Sequence, residues 1–282
     1  MSNPLFVEPI DYLIFGHLTK DLTPAGPRMG GTASFSSLTA KALGLRVGIV
    51  TSCAGDLDLQ PLKGIQVINH PAEVSTTFEN VYTSHGRIQF CYNQAEILEP
   101  GLTPEAWRNT PIVHLGPIAQ ETHPGLSKAF PNSIVGLTPQ GWLRSWDENG
   151  RVSPAEWLEY RYVMGNSDVA VISVEDVQGD EERISDMASA IKILVVTEGA
   201  NGSRVFWNGD VRHFSPPKMV ELDATGAGDI FAAAYFFRYH ATRDPGEAAR
   251  FATNLAAFSV TRTGLDSIPR QEEIQSCLVE VI

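Results

Sequence analysis

Short apolar runs recur along this chain, and between several of them lie stretches with the spacing of helices. The runs are Tyr12-Leu13-Ile14-Phe15, Val47-Gly48-Ile49-Val50, Ile112–Leu115, Ile134–Leu137, 169–172 and Ile193–Thr197. They are four or five residues long and apolar but for His114 and Thr197, as strands covered on both faces are. Helices are expected at 32–43, a small-residue stretch that stops at Gly44, and at 104–108, 154–160 and 180–190. Such alternation predicts an α/β fold of three layers, α/β/α, around a mostly parallel central sheet. Ligands in such folds bind beyond the carboxyl ends of the strands.

Two stretches depart from this rhythm. Residues 76–92 (TTFENVYTSHGRIQFCY) alternate polar and apolar residues around a turn signal at Ser84-His85-Gly86. That is the pattern of a β-hairpin, and its edges suit a flap or a small second sheet. A second hairpin is expected from 203–207 and 211–214, joined across Asn208-Gly209-Asp210, before the chain turns helical over 227–240, 245–261 and 270–281. Pro and Gly are spread through the loops rather than gathered into a linker, so residues 1–282 read as a single domain.

The formal net charge of −12 argues against nucleic acid or an anionic membrane as a partner, since both reward a basic surface. Cys53, Cys91 and Cys277 lie far apart with no CxxC spacing, which fits a reducing cytosol better than a disulfide framework or a zinc site. The first residues carry Glu8 and Asp11 and lack the basic start of a signal peptide, and no apolar run approaches the ~20 residues that span a bilayer. A cytoplasmic protein is expected.

The stretch Asp223-Ala224-Thr225-Gly226-Ala227-Gly228-Asp229 precedes the apolar helix IFAAAYFFRYH. Small residues let backbone approach a ligand closely, and the first N–H groups of a helix, unpartnered and aided by the dipole, make an anion site. A carboxylate at the same helix start can take a proton from a hydroxyl held beside that anion, which is the arrangement phosphoryl transfer needs. Taken alone, such a loop reads more readily as a glycine-rich turn with Asp229 an ordinary acid at a helix start.

The stretch resembles the C-terminal signature D-T-x-G-A-G-D of the PfkB, or ribokinase-like, carbohydrate kinases. Other segments match that family in order. Gly30-Gly31 in RMGGTASFSS resembles its GG-x-x-x-N segment, Asp21 its early substrate-binding acid, and the 76–92 hairpin its lid. Val195-Val196-Thr197-Glu198-Gly199-Ala200-Asn201-Gly202 resembles its nucleotide segment, and 252–257 its adenine-side helix. The correspondence runs from about Asp11 to Ile268.

The resemblance implies an ATP-dependent phosphotransferase acting on a hydroxyl of a small sugar or cyclic polyol, with a β lid from about 17–30 and 74–98. It makes Asp229 the catalytic base and Gly226, Ala227 and Gly228 the anion hole. Asp21, Gly30, Gly31 and Phe35 would meet the acceptor. Thr197, Gly199, Gly202 and Asn254 would line the nucleotide, and Arg144 would reach a phosphate oxygen. Mg²⁺ would arrive with ATP, organised through water by Ser173 and Asp176, and K⁺ would sit by Asp223 and Thr225. The exposed hairpin edge would suit a lid-to-lid homodimer, as in some relatives.

Three departures bear on the acceptor and the metal. Phe35 stands where the family has Asn, and the GG-x-A-S-F pattern looks more like the inositol-kinase-like branch. Ala224 replaces the usual Thr, and Ser173 and Asp176 replace both named residues of the N-x-x-E motif. A nucleoside acceptor, with Phe35 packing on a base, and a non-catalytic ligand-binding member of the family stay open as alternatives. A dehydrogenase does not, since Gly16-His17-Leu18-Thr19 lacks the required G-x-G-x-x-G.

Overall fold

A computed structural model describes residues 7–83 and 86–278. The first half of the chain forms β1 (Tyr12–Phe15), β2 (Thr19–Leu22), β3 (Arg28–Gly30), α1 (Thr32–Ala42), β4 (Val47–Cys53), β5 (Gln66–Pro71), β6 (Thr77–Thr83) and β7 (Gly86–Asn93). It continues with β8 (Ile112–Leu115), β9 (Ile134–Leu137), β10 (Arg144–Trp146), β11 (Val152–Pro154), α2 (Tyr160–Gly165), β12 (Val169–Ser173), α3 (Glu181–Ser189) and β13 (Ile193–Thr197). The last part holds β14 (Ser203–Trp207), β15 (Asp210–Phe214), α4 (Ala227–Thr242), α5 (Pro245–Ser259) and α6 (Gln271–Leu278).

Nine strands make the central sheet in the order β15-β14-β13-β12-β9-β8-β1-β4-β5. From β13 to β5 every pairing is parallel, and β14 and β15 add an antiparallel edge. Successive residues of a strand point to opposite faces, and the core divides accordingly. Tyr12, Ile14, Ile49, Val171 and Val195 pack on one face with Phe231, Phe236, Phe251 and Ile274 from α4, α5 and α6. Leu13, Phe15, Val113, Ile172 and Leu194 pack on the other with Trp107, Trp157, Val163 and Ile184. The result is the three-layer α/β architecture expected from the alternation.

A four-stranded sheet, β3-β2-β6-β7, stands over the carboxyl edge of the central one. It is tied down by two fully buried side chains. The His17 ring, just past β1, lies 2.8 Å from the Glu96 carbonyl through Nε2 and 2.6 Å from Thr76 Oγ1 through Nδ1. Glu121 accepts from the N–H groups of His17 (2.8 Å), Ile118 (2.9 Å) and Ala119 (2.7 Å). A buried carboxylate without such donors would be costly; here it joins the end of β1 to the loop after β8.

Several expectations are corrected. Residues 104–108 hold only a 3-10 turn, Glu105–Trp107, whose tryptophan is fully buried in the core. Of 154–160, Pro154 ends β11 and Tyr160 opens α2, so no helix fills the segment between. The helix from 245 ends at Ser259 rather than 261. The turn residues Ser84 and His85, and positions 279–281 of the last expected helix, lie outside the described residues.

Candidate active site

Two helices begin side by side at the carboxyl edge, each behind a glycine of positive φ: α1 behind Gly31 (85°) and α4 behind Gly226 (78°). The loop before α4 is held by Asp223, whose Oδ1 accepts from Thr225 N–H (2.9 Å) and whose Oδ2 accepts from Gly264 N–H (3.2 Å). At Gly226 any side chain would collide, because a Cβ there would stand 2.3 Å from Phe35 Cδ1. Phe35 is 3% exposed. Its ring therefore packs under the glycine loop, and it also lines the cavity where an apolar wall was expected.

Ala227 also departs from expectation. Its N–H donates to the Ala224 carbonyl at 3.1 Å, closing the turn. The donors left at this end are those of Gly226 and of the first helical turn at Gly228 and Asp229, which have no carbonyl four residues back within the helix.

Asp229 is half-buried at the floor of the cavity. Desolvation pushes its carboxyl up to about 6, and the nearby charges of Asp176 and Asp21 add to the rise. A hydrogen bond from Thr32 and the charge of Arg144 oppose it. Asp21, on β2, shows the same behaviour: burial raises it to about 6 against a hydrogen bond from the Thr19 hydroxyl (2.7 Å). The Gly30-Gly31 pair admits this acid, since a Cβ on Gly30 would lie 2.0 Å from Asp21 Oδ2. Two carboxyl groups of raised affinity for protons thus face one cavity, and such pairs mark functional sites more often than structural ones.

The cavity measures about 1320 Å³. On the acceptor side Asn80 and Gln89 of the small sheet, hydrogen-bonded to each other (3.1 Å), join Asp21, Thr32 and Asp229. On the far side it is lined by Thr197, Gly199 and Gly202 after β13 and by Pro216, Pro217, Met219 and Leu222. From α5 come Thr253, Ala256 and Ala257; Asn254 is not among the lining residues. A helical step of about 100° turns it off the face its neighbours present.

Ser173 and Asp176 have a local task. The Ser173 hydroxyl accepts from Glu175 N–H (3.2 Å) while Asp176 Oδ2 accepts from Ser173 N–H (2.8 Å), a reciprocal cap on the turn Val174–Val177. Gln140 donates to Asp176 Oδ1 (3.0 Å). Glu175, passed over in the sequence, is the exposed carboxylate of this turn at the cavity rim. Among the described residues no group of three or more His, Cys, Asp or Glu is placed to hold a metal ion. The carboxylates of Glu175 and Asp176 fit an ion that arrives with phosphate oxygens and keeps part of its water.

Thr32, Asn80, Gln89 and Glu175 were missed by sequence reasoning. Thr32 and Glu175 sit beside residues that were singled out, but nothing in their own spacing distinguishes them.

The model of the pfkB family of carbohydrate kinases matches residues 156–272, which include the glycine loop and Asp229. Over that stretch the chain is similar to this family. Among curated proteins it is 28% identical to a fructokinase of Escherichia coli over 60% of the chain and 62% of that relative, so the match spans about three fifths of the relative's length. Over 42 residues, 15% of the chain and 11% of the relative, it is 45% identical to an inositol 3-kinase of Zea mays. The same fold occurs in a pyrophosphate-dependent kinase of the ribokinase family solved with a pyrophosphate analogue and myo-inositol. That structure has a TM-score of 0.79 and 20% identity, with 94% of this chain and 99% of that one covered. The chain thus shares the fold of that ribokinase-family kinase. None of its helices among the described residues is long and apolar enough to cross a membrane.

Proposed function

We propose that this chain is an ATP-dependent phosphotransferase that phosphorylates a hydroxyl of a small sugar or cyclic polyol. The observation that carries the reading is Asp229, a carboxyl with raised proton affinity in the first turn of α4, directly beside the N–H groups of Gly226 and Gly228. The Asp229 carboxylate takes the proton of the acceptor hydroxyl. The acceptor oxygen then forms a bond to the γ-phosphorus while the bond from phosphorus to the ADP oxygen breaks, and ADP leaves with the electron pair. The glycine N–H groups stabilise charge on the phosphoryl oxygens as it develops. Mg²⁺, when bound with ATP, neutralises phosphate charge; Glu175 and Asp176 are the residues to orient it. K⁺ beside Asp223 and Thr225 rests on the residue pattern of the loop.

Asp21 would accept hydrogen bonds from neighbouring acceptor hydroxyls. Two carboxylates in the acceptor half favour a neutral polyol over a sugar phosphate, and the local likeness to an inositol 3-kinase supports a cyclic one. A nucleoside acceptor is the second reading: Phe35 lines the cavity, but at 3% exposed and packed against Gly226 it offers a base little surface. The apolar lining by Pro216, Pro217, Met219 and Leu222 suits a base on the donor, which pyrophosphate would leave uncovered.

The test is product formation from ATP·Mg²⁺ or pyrophosphate·Mg²⁺ across inositols, pentoses, hexoses and nucleosides, with and without K⁺. Turnover of one inositol or sugar with ATP is expected. Turnover with pyrophosphate alone would overturn the donor, and binding of nucleotide without transfer to any acceptor would favour a ligand-binding protein.

A further inference from the structure

A row of three polar side chains crosses one apolar face of the central sheet and ends at the cavity. Tyr12, the first residue of β1, is in register with Ile112, and His114 lies two residues further along β8. Thr138 follows β9 directly, one place beyond the paired Leu115 and Leu137. Side chains alternate across a strand, so Tyr12, His114, Gly136 and Thr138 share a face and the row climbs to the carboxyl edge. The Tyr12 hydroxyl lies 2.7 Å from His114 Nδ1, and the Thr138 hydroxyl lies 2.8 Å from His114 Nε2. The imidazole is fully buried and meets the Phe236 ring edge-on, with 5.0 Å between centroids. Phe236 in turn sits over Gly136, where a Cβ would stand 2.5 Å from its Cζ.

An imidazole so placed is neutral, since desolvation pushes its pKa down to about 3. It carries one N–H and one bare nitrogen, and its two neighbours decide which is which. A phenol is a stronger donor and a poorer acceptor than an aliphatic hydroxyl. Tyr12 therefore donates to Nδ1, and Nε2–H donates to Thr138 Oγ1. The reverse order would make the phenol oxygen the acceptor and send its proton to Ser36 beside it. With its oxygen accepting from the ring, Thr138 cannot turn its own proton back into the core. Its backbone is held as well, the N–H donating to the Leu115 carbonyl at 3.0 Å, and the residue lines the cavity. We infer that Thr138 is a ligand-binding residue that presents a fixed hydroxyl donor to an oxygen of a bound substrate, with His114 and Tyr12 as the positioning residues that set its direction. The ligand atom must offer a lone pair, which a phosphoryl oxygen of the donor and a hydroxyl oxygen of the acceptor both do. The inference rests on this cavity being the site of phosphoryl transfer.

Two measurements on the full chain test it. The first is the ¹⁵N spectrum of the histidine rings in the wild type, with His114 assigned through its backbone, because bare and protonated ring nitrogens resonate far apart. The proton is expected on Nε2; a proton on Nδ1 would overturn the inference, since Thr138 would then donate to the ring. The second compares Thr138→Val, which keeps the shape and loses the hydroxyl, with Thr138→Ser, which keeps the hydroxyl. Thr138→Val is expected to lower kcat/KM by about 10- to 100-fold, the scale of a hydrogen bond to a charged group. Thr138→Ser should recover most of that loss. Calorimetry then identifies the oxygen. Weaker binding of β,γ-imido-ATP·Mg²⁺ with unchanged ADP·Mg²⁺ points to the transferred phosphoryl group, and a fall in kcat alone points the same way. Weaker binding of the inositol or sugar that turns over points to its hydroxyl. Wild-type kcat/KM and affinities in Thr138→Val would overturn the contact while leaving the phosphotransfer reading intact, and equal losses in the Val and Ser variants would overturn it too. If Thr138→Val does not fold, Thr138→Ala takes its place with the same expectations. A wild type that turns over no acceptor and binds no nucleotide would remove the phosphotransfer reading, and the contact with it.

Discussion

At the scale of single residues, Asp229 carries a cost that its chemistry requires. Its carboxyl titrates at about 6 in the folded chain against 3.8 for an ordinary aspartate, because the cavity desolvates its charge. The folded state therefore binds a proton more tightly than the unfolded one. At pH above about 6 the ionised group destabilises the fold, and below about 4 the penalty disappears. Asn mimics the protonated acid. Asp229→Asn should lower kcat by about 10²- to 10⁴-fold and at pH 7.5 raise the unfolding free energy by up to about 3 kcal/mol, the equivalent of two pH units. Denaturant unfolding at pH 7.5 and pH 4 checks both signs, since the gain should vanish at the lower pH. The same titration sets the acid limb of kcat/KM for the wild type near pH 6. Because Asp21 is raised to about 6 as well, the limb should steepen towards a slope of two if both must ionise, and Asp21→Asn should return it to one.

At the scale of elements, the fully buried strands were the legible ones. β1, β8, β9 and β13 begin and end where their apolar runs do, because strands covered on both faces are written almost wholly in apolar residues. Strands β5, β10 and β11 were not read as strands, and β2 and β3 entered only through the β lid of about 17–30 that the resemblance implied, being short or half-exposed with polar residues such as Lys20, Asp21 and Asn69 at positions that no periodicity marks. The site divides in the same way. The segment 223–229 is contiguous and shows itself; the hydrogen bond from the Ser36 hydroxyl to the Asp229 carbonyl joins residues 193 positions apart and exists only once α1 and α4 are packed together. Asn80 and Gln89 likewise acquire meaning from the pairing of β6 with β7. That small sheet is proposed to act as the lid. Replacing 77–93 by a short Gly-Ser linker should lower phosphoryl transfer at least tenfold more than ATP hydrolysis, because a lid excludes water from the phosphoryl group. Parallel assays of ADP release and phosphorylated acceptor give the ratio, and an unchanged ratio would assign β6 and β7 another role.

At the scale of the whole molecule, a chain of net charge −12 is proposed to draw in a polyanion. The glycine loop, the helix starts and Arg144 supply local attraction, but a ligand approaching from solution first meets the field of the entire surface. Like charges repel, and salt screens them over about 10 Å at 0.1 M. The apparent kcat/KM for ATP should therefore rise, by about twofold, between 10 and 150 mM tetramethylammonium chloride, the direction expected when screening relieves repulsion. A fall over that range would show that a local basic patch, rather than net charge, governs approach.

The contact between Phe35 and Gly226 has a consequence for how this sequence can change over time. Position 226 needs both a positive φ and the absence of a Cβ, and the second need is created by a ring on another helix. Position 35 can shrink while Gly226 stays, but position 226 cannot grow while Phe35 stays. The two sites are therefore open to drift in one order only. A saturation library at 226 should yield no active member in the present background, and any survivor should emerge only after 35 has become smaller, so that the route between two such sequences runs through a cavity and never through a clash.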